Sequence, residues 1–136
     1  MPYAAISYRV KPGHDEEIAE IFANFKRVKR PELHDVEGQE SGKLLGTAVF
    51  IDHDVVVRVI HYSGDFADIA RKMAAESGVH TLESKLAPYL AEQRDTTTSE
   101  GFGDYFRNAT MRCISQLSVE TLSLDKPPTA KQPTGV

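Results

Sequence analysis

The chain has 136 residues, 40% of them hydrophobic and 26% charged, with a formal charge of −4 and one cysteine. That is the composition of a single globular domain, of a size that buries roughly 65–70% of its unfolded surface without a disulfide or structural metal. The acidic balance speaks against a nucleic-acid partner, and the lone Cys113 excludes an intramolecular disulfide and a cysteine-based zinc site.

No stretch approaches the roughly 20 apolar residues of a membrane span. The opening MPYAAISYRV lacks the basic-then-apolar order of a secretion signal. With the cysteine content of a reducing compartment, the expectation is a cytoplasmic protein with no membrane partner.

In chain order, Pro2 to Val10 alternates, with Ala4, Ile6, Tyr8 and Val10 on one face and Tyr3, Ala5, Ser7 and Arg9 on the other, which predicts a strand. Lys11-Pro12-Gly13-His14 breaks it. Asp15, Glu16 and Glu17 then mark a helix start, where negative charge is favoured, and Ile18, Ile21, Phe22 and Phe25 follow at helical spacing. The basic run Lys26-Arg27-Val28-Lys29-Arg30 reads either as a solvated helix end or as a contact for an anionic partner such as an acidic carrier protein. Residues 28 to 43 have no period and contain Pro31, Gly38 and Gly42, predicting a loop or short hairpin turning near Glu37-Gly38.

Leu44 to Ile51 and Val55 to Tyr62 are the strongest strands, and Asp52-His53-Asp54 is short enough to make them antiparallel neighbours. In the second, Val55, Val57, Val59 and His61 share one face, read as core, and Val56, Arg58, Ile60 and Tyr62 share the other. Asp65 is placed to cap a helix with the stripe Phe66, Ile69, Ala70 and Met73. A second helical pattern runs through Val79, Leu82, Leu86, Tyr89 and Leu90, and Pro88 should end or kink it. Ser99 is placed to cap a turn carrying Phe102, Tyr105 and Phe106. Met111 to Glu120 is the last predicted strand, and the prolines beyond it predict a disordered tail over residues 123–136.

The order strand, helix, strand, strand, helices, strand predicts one domain over residues 1–122. Its fold class is α+β: a ferredoxin-like antiparallel sheet with helices on one face. The other face then lacks a cover. With Val56, Ile60 and Ala5 assigned to that face, a second copy packed sheet to sheet is expected, giving a homodimeric α+β barrel.

No phosphate loop, GxSxG or HExxH motif is present, and no two of His14, His34, His53, His61 and His80 stand three or four residues apart. No metal is therefore expected. His61, ending the central strand, and His80, opening a helix, are candidate bases, since imidazole titrates near neutral pH; each also reads as a hydrogen-bonded or solvated histidine. His14, His34 and His53 read as loop residues. Arg58 interrupts a valine-rich strand, where a charge needs an ion pair, exposure or a ligand oxygen to compensate it. Arg112 raises the same question in the last strand. Tyr8 and Tyr62 are proton donors or core-edge residues, and Cys113 reads as a small buried hydrophobe.

Several separated segments agree in order with one family. Leu45-Gly46-Thr47-Ala48-Val49-Phe50, Arg58-Val59-Ile60-His61-Tyr62, Gly64-Asp65-Phe66, Leu86-Ala87-Pro88-Tyr89-Leu90, Phe102 with Tyr105-Phe106-Arg107, and Met111-Arg112-Cys113-Ile114 together resemble the SchA/CurD-like family of actinobacterial aromatic polyketide and spore-pigment clusters. The similarity runs from about Pro2 to Leu122.

The resemblance implies an accessory enzyme of antibiotic or pigment biosynthesis acting on an aromatic polyketide intermediate. The first expectation is a cofactor-independent monooxygenase that oxidises an anthrone-type phenol with dioxygen as co-substrate. The alternatives are a cyclase or aromatase directing ring closure, and a non-catalytic partner of the synthase, with an acyl carrier protein among the partners. The residues then expected to act are His61, His80 and Arg58 in catalysis, with Tyr62, Arg112, Tyr8 and Ser7 binding substrate.

Overall fold

The computed structural model describes residues 1–24 and 30–119. Phe25, residues 26–29 of the basic run, Glu120 of the expected last strand and the expected tail 123–136 lie outside the described residues. Among the described residues five strands and four α-helices follow in the order β1 (Tyr3–Arg9), α1 (Asp15–Ala23), β2 (Glu32–His34), β3 (Glu40–Asp52), β4 (Val55–Ser63), α2 (Phe66–Ala75), α3 (Ser77–Leu86), α4 (Ser99–Ala109) and β5 (Thr110–Met111). A 3₁₀ turn, Ala87–Tyr89, carries Pro88 and ends α3 as the proline requires. The sheet order is β2-β3-β4-β1-β5 with every neighbour antiparallel, which is the ferredoxin-like α+β arrangement with one short added edge strand.

Local chemistry sets these elements. The β3–β4 hairpin turns on His53-Asp54, and His53 adopts φ +53°, the left-handed conformation a tight hairpin demands. The β2–β3 hairpin turns where expected: the Asp35 carboxylate accepts from the Glu37 and Gln39 amides, and Gly38 sits at φ +81°. Asp65 caps α2 by accepting from Ala67 N–H. Thr98, not Ser99, caps α4 by accepting from Gly101 N–H; Ser99 is already the first helical residue, and Thr98, still extended, is the one whose hydroxyl can turn back to an orphan amide.

One face of the sheet is covered. Ile6, Val56, Ile60 and Tyr62 meet Ile69, Met73, Val79, Leu82, Leu86, Phe102 and Phe106 of the helices in two adjoining core clusters. Val56 and Ile60 therefore face the helices, whereas the sequence reading had put them on the uncovered side. Both faces of β4 are apolar, so alternation alone does not say which is inward. The register does: Ile6 pairs with Arg58 and Tyr8 with Val56, and paired residues share a face. Arg58 is thus carried to the helix side. The open face holds Val55, Val57, Val59 and His61 beside Ala5 and Ala48, with Phe50, Met111 and Tyr3 exposed.

Four further expectations are corrected. β3 begins at Glu40, because Asp35 and Gly38 turn the chain early enough for Gly42 to lie against Ser63. His34 ends β2 and is not a loop residue. The last strand is only Thr110–Met111, and the chain beyond it is irregular although Gln116 bonds Tyr3 N–H and the Met1 carbonyl. Cys113 is consequently exposed rather than buried, since no continuing strand folds it under a helix.

Candidate functional site

Glu83 and Arg94 form a nearly buried ion pair inside the helix layer. Arg94 Nε and Nη2 donate to the two carboxylate oxygens at 3.0 and 2.9 Å, and the side chains are 11% and 9% exposed. Glu83 arrives there because α3 buries Val79, Leu82 and Leu86, and position 83 falls on the same stripe. Arg94 comes from the irregular segment after the 3₁₀ turn, which is tied to β1 by Ala91 N–H donating to the Arg9 carbonyl. Its guanidinium is wedged between two phenol rings, 4.2 Å from the centroid of Tyr8 and 3.7 Å from that of Tyr105. Arginine is suited to such a position, being planar and weakly hydrated.

Both tyrosines are held in the neutral form. Burial pushes the Tyr8 hydroxyl above its ordinary range, with Arg94 and Arg58 pulling partly back. Burial raises Tyr105 further. Burial works against the charge on Arg94, but Tyr105, Glu83 and Tyr8 outweigh it. These hydroxyls are proton donors in waiting, not bases.

Arg58 stands on the same side of the sheet. It lies over the Phe22 ring at 5.8 Å, and among the described residues no carboxylate pairs with it. It lines a cleft of about 480 Å³ bounded by Phe22 of α1, Arg30-Pro31, Leu44 to Val49 of β3 and Met73 of α2. That volume is in the range of small-molecule sites. Arg58 and Met73 also wall a much smaller interior cavity of about 20 Å³, completed by Ile6, Tyr8, Val79, Leu82, Glu83, Phe102, Tyr105 and Phe106. Beyond Tyr8 and Tyr105 lies a third cavity of about 450 Å³ beside Ser7 to Arg9 of β1, past the end of the short β5, lined also by Gln93, Arg94 and Asn108. Three cavities thus follow one another across the helix layer, with Arg58 between the first two and the Tyr8–Arg94–Tyr105 wedge between the last two.

The expected site residues separate on this frame. Arg58 and Tyr8 come together around the interior cavity, and Ser7 joins Tyr8 at the outer one. His61 is on the open sheet face, stacked on Tyr3 with centroids 4.3 Å apart, and its buried Nε2 has no hydrogen-bond partner among the described residues. The His80 Nε2 is 2.6 Å from the Ala74 carbonyl, with the ring behind Phe102. Tyr62 packs on Phe66 in the core, and burial raises its hydroxyl. Arg112 is exposed past β5. Glu83, Arg94 and Tyr105 were not among the expected site residues. Glu83 had a legible signal, a carboxylate four residues after Val79 on an apolar stripe. Arg94, in a polar segment, had none.

A family model described as the SchA/CurD like domain matches residues 1–119. The chain belongs to the SchA/CurD-like family. Among its SchA/CurD-like relatives, polyketide synthase CurD of Streptomyces cyaneus is 29% identical over 114 residues, covering 84% of this chain and 29% of that protein. A 42.8 kDa protein in the whiE locus of Streptomyces coelicolor is 30% identical over 110 residues, 81% of this chain and 26% of its own length. Protein SchA of Streptomyces halstedii is 27% identical over 110 residues, 81% and 27% respectively. The chain therefore spans under a third of the length of these SchA/CurD-like proteins. No solved structure matches the chain significantly. Among the described residues no cluster of ligating side chains is placed to hold a metal, and no helix is long and apolar enough to cross a membrane.

Proposed function

We propose that this protein acts in aromatic polyketide assembly as a cofactor-independent monooxygenase. It would bind a polycyclic phenol or anthrone-type intermediate in the cleft of about 480 Å³ with an ionised oxygen on Arg58. The polyketide context rests on the family and on the relative named polyketide synthase CurD. The observation that carries the site is Arg58, a cation at the inner end of a cleft with no carboxylate of its own among the described residues. A charge so placed is costly unless a ligand completes it, and it favours the ionised form of a phenol or enol beside it.

Oxygenation is preferred because of what adjoins Arg58. The cavity of about 20 Å³ behind it, walled mostly by Ile6, Met73, Val79, Leu82, Phe102 and Phe106, admits nothing larger than a diatomic or a water. An electron-rich carbanion held on Arg58 would meet dioxygen there. The ring CH₂ loses two hydrogens and gains one oxygen atom from O₂, and the second oxygen leaves as water. Cyclisation is the second reading, favoured by the neutral hydroxyls of Tyr8 and Tyr105 across the same cavity: an enolate held on Arg58 would attack a carbonyl whose developing alkoxide a tyrosine protonates.

Oxygen consumption by the purified protein with 1,8-dihydroxyanthrone, followed by mass analysis under labelled dioxygen, decides between them. One labelled oxygen per quinone formed, lost in Arg58→Met, is expected. Unlabelled product with an altered ring pattern from a poly-β-ketone substrate, and no uptake, would replace oxygenation by cyclisation.

A further inference from the structure

Glu83 and Arg58 line the same cavity of about 20 Å³. A carboxylate and a guanidinium that face one cavity are candidates to pair across it, yet Glu83 spends both its oxygens on Arg94 instead. Arg94 is in turn fixed by the faces of Tyr8 and Tyr105.

We infer that Arg94 is a positioning residue whose task is to hold Glu83 away from Arg58, leaving the Arg58 guanidinium as a free cation for the ligand's oxyanion. The inference rests on the Arg58 reading above. Counted over the cluster, Arg58 and Arg94 against Glu83 leave one positive charge, and a singly ionised phenol or enol brings it to zero. If Arg94 is removed, Glu83 and Arg58 neutralise one another and the cleft loses its attraction for an anion, although Arg94 itself lies beyond the cavity from the cleft. Arg94 thereby sets the specificity for a monoanionic oxygen from the far side of the helix layer.

The test is binding of alizarin, a hydroxyanthraquinone whose visible absorption shifts on ionisation, titrated into the full chain and four variants. Arg94→Met is expected to weaken binding by about tenfold or more, equivalent to about 1.4 kcal/mol. The double variant Glu83→Gln/Arg94→Met, which has nothing left to quench Arg58, is expected to return to within about threefold of the parent, a non-additivity of the size neighbouring charges show. Glu83→Gln alone should bind at least as well as the parent.

A double variant as weak as Arg94→Met, or a Glu83→Gln variant that has lost binding, overturns the inference. If Arg94→Met does not fold, the double variant and Glu83→Gln decide it alone. Arg58→Met separates the two failures. Parent-like binding in that variant removes the Arg58 site itself, whereas lost binding there without rescue in the double variant removes only the role given to Arg94.

Discussion

Replacing Arg58 by methionine should make the protein more stable while removing its ligand. The guanidinium is half-buried on the helix side of β4 and is compensated only by the Phe22 face among the described residues. Exchanging a buried ion pair for hydrophobes of similar volume gains about 1–4 kcal/mol, and about half of that is taken for this single, partly exposed ion. The lost cation–π contact gives back about 0.5–1 kcal/mol. The net gain is then centred on about 0.5 kcal/mol, within about −0.5 to 1.5 kcal/mol, which for a domain of this size raises Tm by about 2 °C. An oxyanion that loses a charged hydrogen-bond donor loses about 1.5–3 kcal/mol, or about 10- to 150-fold in affinity. Thermal melts followed by circular dichroism, together with alizarin titration, read both. A variant destabilised by more than about 1 kcal/mol that still binds alizarin like the parent would mean that Arg58 is a structural residue, and the reasoning would fail at its first step.

Glu83→Met leaves Arg94 buried without its carboxylate and should cost about 3–5 kcal/mol in denaturant melts, more than Arg94→Met, because only in the latter can Glu83 turn to Arg58. The Asp68 carboxyl is held below its ordinary range chiefly by the Ser41 hydroxyl, with Arg71 adding to it. A depressed folded-state value stabilises the fold above the unfolded pKa of about 3.9, and that contribution is lost as pH falls toward the folded value. Asp68→Asn should therefore flatten the loss of stability seen below about pH 4. Gly42→Ala would put a methyl group 2.1 Å from the Ser63 carbonyl oxygen; backbone cannot yield as a side chain can, and a loss of about 1–3 kcal/mol should appear as a lowered Tm. A second copy is the proposed cover for the open sheet face, so Phe50→Glu, at a residue 59% exposed, should shift a dimer to monomer in light scattering while leaving the monomer folded; a parent that is already monomeric would refute that cover.

The element order was legible because most elements carry their own period, and α2 and α4 their own side-chain caps. The β3–β4 hairpin, the Asp65 cap and the Pro88 stop are local statements, and they appear as read. What was not legible depended on pairing across the chain. Whether Val55-Val57-Val59 or Val56-Ile60 turned inward was undetermined in β4, and only the register of Ile6 against Arg58 fixed it. That register also brought Arg58 under the helices, whereas the same alternation sent His61 to the open face.

The polar cluster shows the same limit more sharply. Glu83 and Arg94 are 11 residues apart with a proline turn between them, and nothing in either local pattern says they meet. Tyr8 and Tyr105 come from the two ends of the domain. In the sequence the histidines are the natural base candidates, because imidazole is the side chain whose unperturbed pKa suits base chemistry. The fold instead lines the interior cavity with one guanidinium, one carboxylate and two neutral phenols, and sets the Arg94 guanidinium against the phenols from the far side. That set supplies charge stabilisation and protons but no ready base. It suits a substrate acidic enough to ionise once a cation stands beside it, as a phenol or β-diketone is. The acidity would then reside in the ligand and the protein would supply the positive charge. On that account activity should track the ionisation of the substrate, and its pH profile should move with the pKa of the phenol offered; a profile that stays fixed across phenols of different acidity would show that a protein base is at work after all.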